Sequence, residues 1–261
     1  MIFRVVAALI GLAAIIAVIV VPAWNRDRET TLQGWIEADL IFVSPDENGR
    51  VDKLAVREGD TVDKGAPLFD LDDELQRADL AVAEASVENA RAAFERAKQL
   101  LKSSAGTQRA FDDAEAALRT AEARRNQAAT RLARRRMASP VSGSVQQVYF
   151  RVGEMVSAGK PVVALLPPAN VKVRFFVPEA TLPTIAIGDA VELRCDGCPP
   201  GLKANISFIS RAAEYTPPVI YSREERAKLV FMIEARPERP DVLRVGQPLS
   251  VVLLGRSDKQ S

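Results

Sequence analysis

The sequence contains no histidine among its 261 residues. That absence excludes Ser–His–Asp and Cys–His catalysis and every histidine-based metal site. Only two cysteines are present, too few for a four-thiolate zinc site. No charge of one sign dominates: the net charge is +1, which gives no bulk electrostatic case for binding nucleic acid. Proline is missing from Leu75 to Arg136. What remains is 48% hydrophobic and 26% charged, ordinary globular composition with an apolar segment added.

That segment is residues 5–21, VVAALIGLAAIIAVIVV, which carry no charge. Seventeen residues span about 25 Å as a helix, at the short end for a membrane crossing. Arg4 before it and Trp24 after it fit a helix with its N-terminus in the cytoplasm. A cleaved signal peptide is the competing reading. Val20, Val21 and Pro22 stand where a cleavage site would want small residues, which favours a retained anchor. Both readings export everything after residue 25. No cysteine lies near enough for lipid attachment there.

An internal repeat follows. Residues 44–71 contain Gly49, Gly59, Gly65 and Pro67, and residues 139–165 contain Gly143, Gly153, Gly159 and Pro161, each pair 94 positions apart. The six glycines are read as structural turn positions. Each copy predicts a strand, a tight turn at Glu58-Gly59-Asp60 or its equivalent, a second short strand, a turn at Lys64-Gly65, and an edge strand entered by proline. A copy of ~28 residues cannot bury a core alone, so the two are expected to pack as one small sandwich.

Between the copies the texture changes. Leu80, Ala83, Val87, Ala90, Phe94, Ala97 and Leu101 alternate spacings of three and four, the pattern of a coiled-coil seam. A second seam runs Phe111, Ala114, Leu118, Ala121, Arg125, Ala128 and Leu132. Ser103-Ser104-Ala105-Gly106 breaks the pattern, with Gly106 suited to a helix C-cap. Two antiparallel helices of about 30 residues are predicted, roughly 45 Å long. The arginines from Arg124 to Arg136 read as a solvated face at the hairpin base.

A lipoyl-type sandwich opened by a helical hairpin behind a membrane anchor resembles the HlyD-type family of periplasmic adaptors, or membrane fusion proteins. The resemblance covers nearly the whole chain. It implies a non-enzymatic protein without cofactor, in the subset associated with ABC-type exporters. Lipoyl and biotin carriers hold a modified lysine at the turn joining their halves. Here Leu71-Asp72-Asp73-Glu74-Leu75 stands at that turn without a lysine, so a carrier-domain enzyme subunit is rejected.

The family also shows an Arg-x3-Leu-x6-Ser pattern at hairpin tips that dock on TolC-type outer-membrane channels. Arg96, Leu100 and Thr107 stand at those spacings, with threonine in place of serine. An arginine, an apolar knob and a hydroxyl can insert between another protein's helices. The alternative role for the three residues is hairpin packing and capping.

After Pro167-Pro168 the segments 171–177, 190–195, 204–210, 228–235 and 249–254 read as strands, and 31–43 as one more. Short antiparallel strands without flanking helices suggest a small barrel. Residues 212–226, AAEYTPPVIYSREER, resemble a loop of adaptors partnered with ABC-type exporters. The chain ends soon after Leu254, without the further domain typical of adaptors for RND pumps, which also points to an ABC partner. Cys195 and Cys198 sit in a strand-to-turn setting before Pro199-Pro200. In an oxidising periplasm a local disulfide is favoured there, with a reduced inert pair or a metal or redox role as alternatives.

The expected architecture is therefore mixed α and β in several domains. It comprises an anchor or uncleaved signal at 1–24, a strand joining the barrel at 30–43 and a first lipoyl-like half at 44–72. A helical hairpin at 73–138, a second half at 139–168, a β-barrel at 169–256 and a tail at 257–261 follow. The expected setting is the inner membrane, crossed once, with the bulk of the chain in the periplasm. Implied partners are an ABC-type exporter, a TolC-type channel, the membrane and further copies in a hexameric ring, but no nucleic acid. A type I protein-secretion adaptor and a membrane-tethered scaffold without a transport role are the alternative functions.

Overall fold

A computed structural model describes residues 31–215 and 229–254. The apolar run 5–21, the tail 257–261 and most of the loop expected at 212–226 lie outside the described residues. No helix among the described residues is long and apolar enough to cross a membrane. The chain forms two units, one spanning Asp39–Asn170, the other combining the segment before Asp39 with the chain from Val171 onward.

The chain enters the second of these units as β1 (Thr31–Ala38). It then builds the first unit. Here β2 (Ile41–Val43), β3 (Gly49–Leu54), β4 (Thr61–Val62) and β5 (Pro67–Leu71) precede helices α1 (Glu74–Lys102) and α2 (Gln108–Ala133). β6 (Arg136–Ala138), β7 (Gly143–Val148), β8 (Met155–Val156) and β9 (Val163–Leu166) complete it. Residues 30–43, expected to join the barrel as one strand, thus divide. The ladder of β1 ends at Ala38, and β2 pairs with β9 instead.

The sandwich has two four-stranded sheets, ordered β2-β9-β7-β4 and β6-β5-β3-β8. The repeat maps β3, β4 and β5 onto β7, β8 and β9. Each half lends its short middle strand to the other half's sheet: β4 pairs with β7, and β8 with β3. Backbone bonds repeat the exchange. Gly59 N–H donates to Val145 O at 2.8 Å, and Gly153 N–H to Val51 O at 2.8 Å.

The core repeats as well. Val51, Val62, Leu68 and Leu71 are buried with Val145, Val156, Val162 and Leu165, each pair 94 apart. Burial of each such side chain contributes about 1.5–3 kcal/mol. Gly59, Gly65, Gly153 and Gly159 have φ of 91°, 89°, 94° and 76°, the left-handed region their turns require. Gly49 and Gly143 are not turn residues; they open β3 and β7. They are needed for close approach: a Cβ on Gly143 would lie 2.5 Å from Leu166 O.

In the hairpin, α1 has 29 residues and α2 has 26, so the helices run about 43 and 39 Å. All seven seam residues of α1 are half-buried, and those of α2 are buried or half-buried except Arg125. Arg125 is exposed and turns to Glu84 at 3.8 Å, because a guanidinium cannot enter a dry seam unpaired. Phe94 and Phe111 stack across the seam with ring centroids 5.3 Å apart.

The other unit is a closed six-stranded barrel. β10 (Val171–Pro178), β11 (Ala190–Arg194), β12 (Leu202–Tyr215), β13 (Leu229–Pro237) and β14 (Pro248–Leu253) join β1 in the order β1-β10-β13-β12-β11-β14. Strict alternation in β10 buries Val171, Val173, Phe175 and Val177 inside. β12 runs on to Tyr215, five residues past the expected end. Two register shifts, at Ile206/Phe208 and Ile209/Ala213, break the alternation that sequence reading relies on. Residues 212–215, expected in a loop, are therefore strand.

Candidate functional site

The hairpin tip closes over one carbonyl. Leu100 O accepts from Ala105 N–H at 2.9 Å, Gly106 N–H at 3.0 Å and the Ser103 hydroxyl at 3.1 Å. The left-handed residue is Ser104, with φ 57°, not Gly106. Gly106 serves proximity instead: a Cβ there would lie 3.0 Å from the Leu100 Cβ and the Leu101 nitrogen. Thr107 caps α2, its Oγ1 accepting from Ala110 N–H at 3.2 Å.

Of the three residues expected to dock on a channel, Arg96 and Leu100 are both exposed and one helical turn apart on α1. Leu100 is 50% exposed. Arg96 has no ion pair or side-chain hydrogen bond with a described residue, although carboxylates abound on this hairpin. Thr107 differs, because the oxygen of its hydroxyl is already engaged in the cap.

The hairpin base is built more tightly than the sequence suggested. Arg135, expected on a solvated face, is buried, with its side chain 8% exposed. Its Nη1 donates to Asn48 O at 2.9 Å and its Nη2 to Glu47 Oε2 at 3.2 Å. The buried Gln76 of α1 accepts from the same guanidinium with its amide oxygen turned inward. Arg131 reaches Glu47 at 3.7 Å and Arg134 reaches Asp46 at 3.2 Å. The loop Asp46-Glu47-Asn48 thus grips the end of α2. The repeat-equivalent stretch Pro140-Val141-Ser142 carries no acid, and no hairpin emerges there. Beside the socket, a hydrogen bond from Arg50 at 2.6 Å, followed by one from the Glu74 N–H, holds the Asp72 carboxyl below the usual range.

On the outer face of the barrel a charged ladder crosses three strands. Arg174 meets Glu37 at 2.8 Å and Glu234 at 2.9 Å, and Lys172 meets Glu234 at 3.0 Å. Burial alone would raise the Glu234 carboxyl, but hydrogen bonds from Arg174 and Lys172 outweigh it and hold it low. Trp35 packs on Phe176 at 5.6 Å beside this ladder and donates its indole N–H to Glu37 at 2.9 Å. In the turn after β11, Cys195 and Cys198 are joined by a disulfide.

Residues 40–166 match the family described as "RND MFP, barrel-sandwich hybrid domain". That region is the interlocked sandwich with its inserted hairpin. Residues 40–166 carry the barrel-sandwich hybrid domain of the membrane fusion protein family. A membrane protein in the asrC 5′ region of Acidithiobacillus ferridurans is 28% identical, with 86% of this chain and 87% of that one aligned. The antibiotic efflux pump periplasmic linker protein ArpA of Pseudomonas putida is 34% identical over 45% of this chain and 32% of its own. The chain thus spans about a third of that linker. Among solved structures, a MacA–MexA chimera carrying the Pseudomonas aeruginosa MexA α-hairpin has a TM-score of 0.68 at 22% identity, covering 86% of this chain and 80% of that one. At that identity the likeness concerns the membrane fusion protein fold alone.

Sequence reading missed two features of this chain, the Arg135 socket and the barrel ladder. Asp46-Glu47 standing where the second repeat has Pro140-Val141 was a signal for the first. The alternation of Lys172 and Arg174 opposite Glu37 was a signal only once the register of β1 and β10 was known.

Proposed function

We propose that this chain is the periplasmic adaptor of a tripartite efflux or secretion assembly and performs no catalysis itself. Residues 5–21 anchor it in the inner membrane, and the bulk of the chain stands in the periplasm. Several copies form a ring, six by family resemblance. The tip binds a TolC-type outer-membrane channel through Arg96 and Leu100. The observation that carries this reading is the pairing of exposed, unengaged Arg96 with exposed Leu100 one helical turn away, near the tip of the hairpin. A guanidinium without an internal partner is free to make a charge-assisted bond to another protein.

An ABC-type exporter is the proposed inner-membrane partner, supported by the resemblance of residues 212–226 to loops of adaptors that serve such exporters. The matched family carries RND in its description, so the energy source is the discriminating measurement. Transport in vesicles that stops with vanadate and survives proton uncoupling fits an ABC partner. The reverse pattern overturns that assignment.

The tip is tested with Arg96→Asp in the full chain. Loss of efflux and of cross-linking to the channel, with normal membrane abundance and normal exporter binding, is the expected result. Wild-type efflux and cross-linking would reject docking through this residue.

A further inference from the structure

Strand register sorts the connections of the barrel into two ends. At one end β1 begins with Thr31, paired with Val252 of β14. β11 begins there too, because Val191 pairs with Leu253. β10 runs antiparallel to β1 and so finishes at this end. The connection from β10 to β11, residues 179–189, therefore shares one end with the start of β1 and with Leu254, where the chain leaves β14. The disulfide turn after β11 and the connection from β13 to β14, which carries Val245, belong to the opposite end.

The 179–189 connection is suited to leaving water. Its nine residues 180–188, ATLPTIAIG, carry no charge. Ile187 is 68% exposed, and Leu254 at the same end is 40% exposed. A crevice of about 230 Å³ at this end is lined mainly by Ile185, Val191, Ile206, Leu253 and Leu254. The polar groups of the connection already have partners. The Asp189 carboxylate accepts from Ala186 N–H at 2.7 Å, and the Thr184 hydroxyl donates to Thr181 O at 2.7 Å. Such groups can leave water without the penalty of an unpaired polar atom. Asp189 N–H closes a turn on Ala186 O at 3.1 Å, with Gly188 at φ 92°. Gly188 N–H donates to Ile206 O at 2.8 Å, and Ile206 N–H to Asp189 O at 2.9 Å. The turn is thus fixed on β12, with Ile187 held outward in advance of any contact.

Chain length decides what faces this end. Only nine residues, 22–30, separate the apolar run 5–21 from Thr31. Fully extended they reach about 30 Å. With 5–21 in the inner membrane, Thr31 stays within that distance of the point where the run leaves the bilayer.

We propose that the 180–188 connection is a second membrane contact, with Ile187 and Leu254 entering the interfacial layer of the lipid bilayer. Exposed apolar side chains on a satisfied backbone bind there in proportion to the apolar area they bury. A tether alone leaves the barrel free to swivel, and a second contact fixes this end toward the lipid. This inference rests on the anchor reading above.

The test places a nitroxide on Ile187→Cys in the full chain, reconstituted without an exporter in phosphatidylethanolamine–phosphatidylglycerol nanodiscs at one chain per disc. The native cysteines are joined to each other, so the introduced one takes the label. Collision rates with oxygen, which concentrates in lipid, and with a water-soluble nickel chelate read the depth. Val245→Cys, at the opposite end of the barrel, is the aqueous control. The oxygen-to-nickel ratio at residue 187 is expected to exceed that at residue 245 by at least about fivefold. A label on Leu254→Cys should show the same excess and lose most of it when Ile187→Asp is added. Equal ratios at 187 and 245 in a chain that stays with the discs overturn the second contact and leave the anchor intact. Protection of residue 187 from both probes overturns lipid as the occupant in favour of protein. A chain that does not incorporate into the discs overturns the anchor reading, and this contact with it.

Discussion

Arg135, at the C-terminal end of the hairpin, donates to the backbone carbonyl of Asn48, 87 residues earlier, at 2.9 Å. The bond joins the insertion to the half-domain that precedes it. Its donor is buried, so removing it leaves Asn48 O and Gln76 without a partner. Arg135→Met is expected to cost about 2–4 kcal/mol in urea denaturation monitored on the sandwich. Arg131→Met, which loses an exposed pair, should cost less than about 1 kcal/mol. Equal effects would show that the socket is not organised around Arg135.

The tip cap gives a local measurement. Thr107→Ala removes the acceptor for the Ala110 N–H and should destabilise the first turn of α2 by about 1 kcal/mol. Faster amide exchange at Ala110 and its neighbours reads this directly. Thr107→Ser retains the oxygen and should exchange at the wild-type rate. Unchanged exchange in Thr107→Ala would mean that the cap does not hold the tip.

Gly143 provides a steric test. A methyl there meets the Leu166 carbonyl, a backbone atom that cannot rotate away. Gly143→Ala is expected to destabilise the sandwich by about 1–3 kcal/mol. A thermal midpoint equal to wild type would contradict the close approach of β7 and β9.

The barrel ladder makes stability pH-dependent in a defined direction. Glu234 is held below its unfolded value, so its contribution is fully present above the ordinary glutamate pKa of about 4.3. It is lost as pH falls through the lower folded value. Glu234→Gln should therefore lower the barrel's unfolding midpoint at pH 7, and the gap from wild type should narrow below pH ~4. A gap independent of pH would assign the effect to packing and not to charge.

The disulfide closes a very short loop, so chain-entropy arguments give less than the ~3 kcal/mol of a 15-residue loop. Cys195→Ser with Cys198→Ser should lower barrel stability modestly and leave transport measurable. Complete loss of transport in a folded, abundant variant would assign the pair a functional role.

The sandwich and hairpin were legible because their signals are local. Gly59 and Gly153 occur where φ must be positive, and the spacing of Leu80 through Leu101 follows helix geometry. The boundaries that slipped depend on distant partners. β2 left the barrel because Ile41–Val43 find β9 at least 120 positions later. β12 outran its hydrophobic pattern because bulges shift the alternation against β13. Arg135 looked like its neighbours Arg134 and Arg136, and only the fold decides which of three consecutive arginines turns inward.

The exchanged strands also constrain how the chain acquires its shape. β4 has no partner until β7 is available, and β3, although paired with β5, gains its other neighbour β8 only beyond the whole hairpin. An N-terminal fragment ending within α2 therefore leaves β2 and β4 of this unit unmatched, with no closed core. A chain emerging N-terminus first must keep residues 41–71 from pairing wrongly until Leu166 has arrived. The hairpin, the one part of this unit with largely local contacts, can form in the interval. Once zipped, it brings Leu71 and Arg136 together and turns a long-range search into a short one. The same two helices that give the molecule its reach would thus act as the clamp that lets its halves find each other.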